Sequence, residues 1–152
     1  MTLSQAGLRI IERFPLGFVA TIDTEGRPCV SPKGTFLALD ESTIAFGNIR
    51  SPKTIANLRH NPETEINFAD PFARKAVRVR GQSRIVESDS EEFGQLVGRW
   101  AAVWGDLAQR IKMLVVIDIT QSQDLTTPPY DDGVTEDEMI TLYKQKYAEI
   151  YP

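Results

Sequence analysis

Apolar and polar residues alternate with period two along most of this chain, and four stretches break the alternation with the three-to-four spacing of a helix. The first helical stretch is 4–14, with Leu8, Ile10 and Ile11 on one side and Arg9, Glu12 and Arg13 interleaved; Pro15-Leu16-Gly17 ends it. Residues 18–23 read as a strand, and Thr24-Glu25-Gly26-Arg27 as a hairpin turn in which Gly26 takes positive φ. The return strand, 28–39, is irregular. Pro32 cannot donate to a ladder, so it marks an edge or a bulge, and Gly34 bares the backbone to close approach. A bulged edge strand accounts for both residues; so does a strand whose broken pairing is completed by a flat ligand. A turn at Asp40-Glu41-Ser42 leads into a strand over 43–48.

The second helix has clear punctuation. Ser51 sits where a hydroxyl caps the first turn, Pro52 takes the first helical position, Ile55 and Leu58 face inward, and Asn61-Pro62 stops it. Strands over 64–69 and 75–87 flank a turn at Asp70-Pro71-Phe72-Ala73. The longer one places Val77, Val79 and Ile85 on one face and Arg78, Arg80, Gln82 and Arg84 on the other, which reads first as a solvated or ion-paired face and second as a rim around an anionic ligand, since Arg binds phosphate and carboxylate bidentately. A helix begins within Ser88–Glu92 and carries Phe93, Leu96, Val97, Trp100 and Val103 or Trp104 as its apolar stripe, with Gly105-Asp106 as a break. The continuous apolar run 113–119 predicts a strand buried on both faces. Residues 124–133, with two prolines, read as an extended lid or arm. Thr135-Glu136-Asp137-Glu138 is a capping box for a last helix reaching about 150, with Ile140, Tyr143, Tyr147 and Ile150 on one stripe and the two tyrosines docked on the body.

Six antiparallel strands with short turns predict a mainly β fold, a small closed barrel with flanking helices. The lack of strand–helix alternation excludes a doubly wound dinucleotide fold. At 152 residues the chain makes one domain, 1–152, with 124–152 as its C-terminal arm and helix. A net charge of -4 argues against nucleic acid as a partner, and no apolar run is long enough to span a membrane. One cysteine, Cys29, excludes an internal disulfide, and with His60 as the one histidine neither a conventional metal cluster nor a Ser-His-Asp triad is expected. The N-terminus has no basic region followed by an apolar run, so the expectation is a cytoplasmic protein without a leader.

Chemistry concentrates at the start of the second helix. A helix N-terminus attracts anions through its free N–H groups and its dipole, and here Ser51, Lys53 and Thr54 add two hydroxyls and an ammonium. On its own this stretch reads first as a capped surface helix with a solvated Lys.

Three motifs in order change that balance: Gly26-Arg27-Pro28 continuing into Val30-Ser31-Pro32-Lys33-Gly34; Phe46-Gly47-Asn48 followed by Ser51-Pro52-Lys53 and a helix ending Asn61-Pro62; and Val77-Arg78-Val79-Arg80-Gly81. In this order and spacing the chain resembles the pyridoxamine 5′-phosphate oxidase-like, FMN-binding split β-barrel proteins. Lys53-Thr54 with Ala56-Asn57 is also similar to the small bacterial FMN-binding proteins of the same superfamily. The resemblance implies a homodimer with FMN at the interface. It sets the phosphate at Ser51, Lys53 and Thr54, and lays the ring along Ser31, Pro32, Lys33 and Gly34 and against Phe46, Gly47, Asn48 and Ile49. A backbone N–H or Lys33 near the ring would stabilise a reduced, anionic flavin. An aromatic from the partner closes the site, with Trp100 or Trp104, and then Tyr130, as candidates.

Departures from the oxidase pattern bear on the substrate. The oxidase has Arg where Ser31 falls, Gln where Ala76 falls and its substrate lysine where Phe36 falls, and its C-terminal Arg-x-His is missing. These point away from pyridoxamine 5′-phosphate oxidation and toward FMN chemistry on another small substrate. The alternatives are a flavin-binding or electron-carrier protein without its own substrate, and a relative that binds deazaflavin or haem.

Overall fold

The computed structural model describes residues 2–152. Helix α1 (Gln5–Arg13) is capped by Ser4, whose hydroxyl accepts from the Gly7 N–H, and it buries Ile10 and Ile11. Seven strands follow among the described residues: β1 (Gly17–Ile22), β2 (Pro28–Lys33), β3 (Phe36–Asp40), β4 (Thr43–Asn48), β5 (Glu63–Asp70), β6 (Lys75–Glu87) and β7 (Met113–Leu125). Helix α2 (Pro52–His60) joins β4 to β5. Helices α3 (Glu91–Leu96) and α4 (Gly98–Trp104) lie between β6 and β7, and α5 (Glu136–Ile150) closes the chain.

All strand pairs are antiparallel, in the order β2-β1-β5-β6-β7-β4-β3. β2 and β3 hold the two opposite edges, yet Gly34 and Thr35 alone separate them in the chain. The sheet therefore curls until its edges approach, and the result is a split β-barrel with a seam at Gly34-Thr35. This corrects the reading of 28–39 as one strand. The chain pairs with β1 as far as Lys33, then crosses the seam and pairs with β4 from Phe36. Pro32 does lie on an edge strand, where its missing N–H breaks no ladder.

Two cores share the sheet. Inside the barrel, Phe36, Ile44, Phe46, Ile66, Phe68, Val115 and Ile117 pack with Ile11 of α1. Outside, Ala45, Leu114 and Val116 pack against Trp100, Ala108 and Ile111. The strands β4 and β7 thus bury successive residues on opposite faces, as the apolar run at 113–119 predicts, although β7 continues to Leu125. Between Arg80 and Gly81 the β6–β7 register shifts. A Cβ on Gly81 would lie 2.4 Å from the Asp118 carbonyl oxygen, a backbone atom with no room to move. Gly81→Ala is expected to lower stability by about 1–3 kcal/mol, as overpacking does, read as a fall in the urea midpoint at constant slope.

The region after β6 differs from the single helix expected. It is two short helices joined at Val97, followed by a 3-10 stretch over Gly105–Arg110. The segment 124–133 is not a free lid. Asp124 and Leu125 finish β7, Pro128–Tyr130 form a 3-10 turn, the Thr127 hydroxyl donates to Arg74 O (3.1 Å) and the Tyr130 hydroxyl to Ala73 O (2.6 Å). The tyrosines of α5 dock as expected. Tyr147 packs edge-on to Phe72 at 5.2 Å, and the Arg74 guanidinium lies 4.5 Å from the Tyr143 ring centre. The anchor missing from the expected stripe is Met139, 3% exposed, whereas Ile150 is 60% exposed.

Candidate functional site

Where β4 ends, the chain turns through Arg50 into α2, whose N-terminus faces β2 across a cleft of about 460 Å³. That size suits a small organic ligand or cofactor. β2 contributes Cys29, Ser31 and Lys33, alternate residues on its inner side, and Thr21 lies behind them on β1. Ser51, Lys53, Thr54 and Asn57 face them from α2. The Asn57 amide donates to the Thr21 hydroxyl (3.0 Å), which ties the helix to the strand, and both residues are buried.

Lys33 dominates the electrostatics. It is 8% exposed, and its ammonium donates to Ser31 Oγ (2.7 Å) and Ser51 Oγ (2.6 Å). Among the described residues no carboxylate pairs with it. Desolvation lowers its pKa below the ordinary 10.5. A buried ammonium held by neutral hydroxyls is a charge awaiting an anion. The pH consequence has a definite sign. The folded protein releases the Lys33 proton at lower pH than the unfolded chain, so burial costs stability at neutral pH. That cost disappears as pH rises from the lowered value toward 10.5. The stability of wild type relative to Lys33→Met should therefore climb between neutral pH and pH 10.5; a flat urea-midpoint difference would refute this.

Ser51 departs from the role expected of it. It stands at the cap position but makes no side-chain cap bond. Its hydroxyl accepts from Lys33 and donates to Arg50 O (2.7 Å). The first backbone bond into the helix runs from Ile55 N–H to Ser51 O (3.1 Å), so the Ser51 hydroxyl leaves the N–H groups of Lys53 and Thr54 free for an anion.

The cleft gathers Ser31, Lys33, Ser51, Lys53 and Thr54 from the candidate set. Pro32 instead lies on the outer face, opposite Phe18. Gly34 is exposed, and a Cβ there would meet nothing within 4 Å, which leaves open space beside the seam. Phe46 is not a wall of the cleft: it is fully buried in the barrel core, 5.1 Å from the Phe36 ring. Gly47 is also internal, because a Cβ would fall 2.6 Å from Ile111. Asn48 and Ile49 line an adjoining hollow of about 480 Å³ that shares Arg50, Ser51 and Pro52 with the cleft. There Asn48 Oδ1 is buried with no hydrogen-bond partner, a position that natural proteins rarely leave unfilled.

The aromatic candidates lie elsewhere. Trp100 is 0% exposed and its indole N–H donates to Thr35 O (2.8 Å), so it cannot reach across to a partner. Trp104 is half-buried against the same outer core. Tyr130 is held on the β5–β6 hairpin. Sequence reasoning missed Thr21, Cys29, Arg50 and Asn57. Asn57 had a readable signal, since it lies four residues after Lys53 and three after Thr54, on one helical face. The other three enter through strand pairing and the turn.

Structural neighbours share this fold. HupZ of Group A Streptococcus superposes with a TM-score of 0.71 at 22% identity, covering 82% of this chain and 95% of its own. HutZ, a heme storage protein from Vibrio cholerae, gives 0.65 at 23% identity, covering 83% and 95%. An FMN-binding protein from Syntrophomonas wolfei gives 0.65 at 14% identity, covering 80% and 85%. No functionally curated protein matches the chain by sequence. The family model described as pyridoxamine 5'-phosphate oxidase matches residues 3–123, and the chain belongs to that family.

Proposed function

We propose that this protein binds FMN in the Ser31–Lys33–Ser51–Lys53 cleft, as a homodimer with the cofactor at the interface, and works as an FMN-dependent oxidoreductase on a small substrate. The observation that carries the reading is Lys33, a buried ammonium without a carboxylate, joined by Ser51 to an uncapped helix start that also bears Lys53 and Thr54. These residues fit a phosphate. The orphaned Asn48 Oδ1 fits a ligand rich in hydroxyl and N–H donors, and the open space at Gly34 fits a ring brought close to the backbone. When bound, FMN supplies the electron-transfer chemistry. The chain's own part is to hold the phosphate, to balance its charge with Lys33 and Lys53, and to shield the site.

A second copy has a natural seat. On the outer face of β1–β2, Phe18, Ile22 and Val30 are 46%, 36% and 68% exposed, and they pair across the strands with Pro32, Pro28 and Ala20. This apolar surface reaches the rim of the cleft at Val30. Oxidation of pyridoxamine 5′-phosphate fits poorly. Phe36, which stands where the oxidase has its substrate lysine, is 1% exposed in the barrel core. A haem-binding reading draws on the HutZ neighbour. His60, the sole histidine, is exposed at the far end of α2 and lies outside the cleft. No helix of the described residues is long and apolar enough to cross a membrane. A cytoplasmic setting remains part of the proposal, on the strength of the composition.

The test is the visible absorption spectrum of the purified protein before and after adding FMN, followed by NAD(P)H. Bound flavin bands that NAD(P)H bleaches support an oxidoreductase. Bound bands that persist support a carrier. Failure to take up FMN overturns the flavin reading.

A further inference from the structure

Three arginines of β6, Arg78, Arg80 and Arg84, share its outer face, but they are not equally engaged. Arg84 forks onto Glu92 with contacts of 2.7 and 2.6 Å. Arg78 and Arg80 instead converge on one carboxylate, Glu65 of β5, each at 3.5 Å. Well-formed guanidinium–carboxylate bonds are about 2.7–2.9 Å, so both contacts are loose. Arg78 also donates to Gln123 Oε1 (2.6 Å). Two positive charges thus face one negative charge, and most of their N–H donors are uncommitted. Between them lies a hollow of about 300 Å³ whose walls are wholly polar: Glu65, Arg78, Arg80, Gln121 and Gln123.

This hollow is not isolated. It shares Glu65 and Arg80 with a hollow of about 240 Å³ floored by Ala20, Ile22 and Pro28. That one shares Thr21 with the cofactor cleft. That apolar floor belongs to the outer face of β1–β2, while the Thr21 side chain is turned to the inner side, toward Asn57.

We propose that Arg78 and Arg80, with the amides of Gln121 and Gln123, form a second anion-binding site, on the outer face of the sheet, for a carboxylate or phosphate ligand. The site stands on the arginine geometry and is independent of the flavin reading. Glu65 acts as a built-in competitor that keeps the guanidiniums parted and paired until a better-placed anion displaces it.

The test uses nitrogen-15-labelled full-length protein without added flavin. The arginine Nε–H resonances are followed during titration with potassium phosphate and, separately, with disodium succinate, at ionic strength held by sodium chloride. Saturable shifts are expected for Arg78 and Arg80 and not for Arg84, with Arg78→Gln and Arg80→Gln assigning the signals and the double variant losing saturation. Saturation by phosphate alone names a phosphate ligand, and saturation by succinate alone names a carboxylate. Glu65→Gln should tighten the responding probe by roughly fivefold, the scale of one partly exposed ion pair. Equal shifts with chloride, saturation that survives in the double variant, or no tightening in Glu65→Gln would overturn the subsite. The amide spectrum of the same samples reports folding. Lys53→Ala should leave this titration unchanged, so a protein that refuses FMN but saturates here loses the flavin reading and keeps the subsite.

Discussion

Lys53→Ala is expected to weaken FMN binding by roughly tenfold to a hundredfold while leaving thermal unfolding unchanged, since one charge-assisted bond is worth about 1.5–3 kcal/mol and each 1.4 kcal/mol is tenfold. The two halves of this result have different causes. Lys53 is exposed on the first turn of α2 and takes part in no core cluster, so removing its ammonium disturbs no packing. Its ammonium does border the same cleft as Lys33 and the free N–H groups of the helix start, where a phosphate's charge would be shared. Flavin fluorescence quenching on titration with FMN gives the affinity. Lys144→Ala, exposed on α5 and away from the cleft, is the matched control. Unchanged FMN affinity in Lys53→Ala would remove the phosphate from this helix start. Lys33 is less suited to the same test, because replacing a buried charge changes folding and binding together.

Trp100→Ala should cost about 3–5 kcal/mol of stability, the range for truncating a buried tryptophan. For a domain of this size that lowers Tm by roughly 2–4 °C per kcal/mol, or about 6–20 °C. The side chain is fully buried between the sheet and the segment bearing Ala108 and Ile111. Its loss opens a cavity and also removes the short indole N–H bond to the Thr35 carbonyl, leaving it the longer one from the Gly47 N–H (3.4 Å). Thr35 is half of the Gly34-Thr35 link across the seam, and its hydroxyl is bonded to both Gly47 O (2.8 Å) and Gly47 N (3.1 Å). Trp100 therefore pins the point where the barrel's two edges meet. Trp100→Phe keeps most of the volume and gives up the hydrogen bond, so it should fall by about 1–3 kcal/mol. Calorimetry on both variants reads these losses. The earlier role expected of Trp100, a lid on a partner's cofactor, makes the opposite prediction: unchanged Tm with altered dimerisation or FMN affinity.

Much of this molecule was legible from local chemistry. Ser4, Gly26, Pro52, Asn61-Pro62 and Thr135 punctuate helices and turns through bonds that close within a few residues, and the structure places their elements where the pattern did. Period-two alternation likewise exposed the two faces of β6, and the unbroken run at 113–119 revealed a strand with a core on each side. The helix-start cluster of Ser51, Lys53 and Thr54 was readable for the same reason, since a helix N-terminus brings neighbours in sequence together in space.

Contacts closed over long stretches of chain decided the rest. Residues 28–39 look like one strand because Pro32 and Gly34 are compatible with a bulge; the break becomes visible once β2 and β3 are seen on opposite edges of the curled sheet. Phe46 and Gly47 sit in a motif that the resemblance sets against a ligand, and Trp100 is an aromatic it offers to a partner's site, but the structure buries all three in the two cores, and burial depends on which elements pack together. Lys33 carried no sign in its neighbours that its charge would lack a carboxylate; Ser51, 18 residues away, supplies the bond that holds it. Local sequence fixes backbone preference and the face a side chain occupies, because those energies act within a turn or a strand. Which faces meet, which charges are stranded and where a cleft opens depend on the closure of the sheet, to which all seven strands contribute at once.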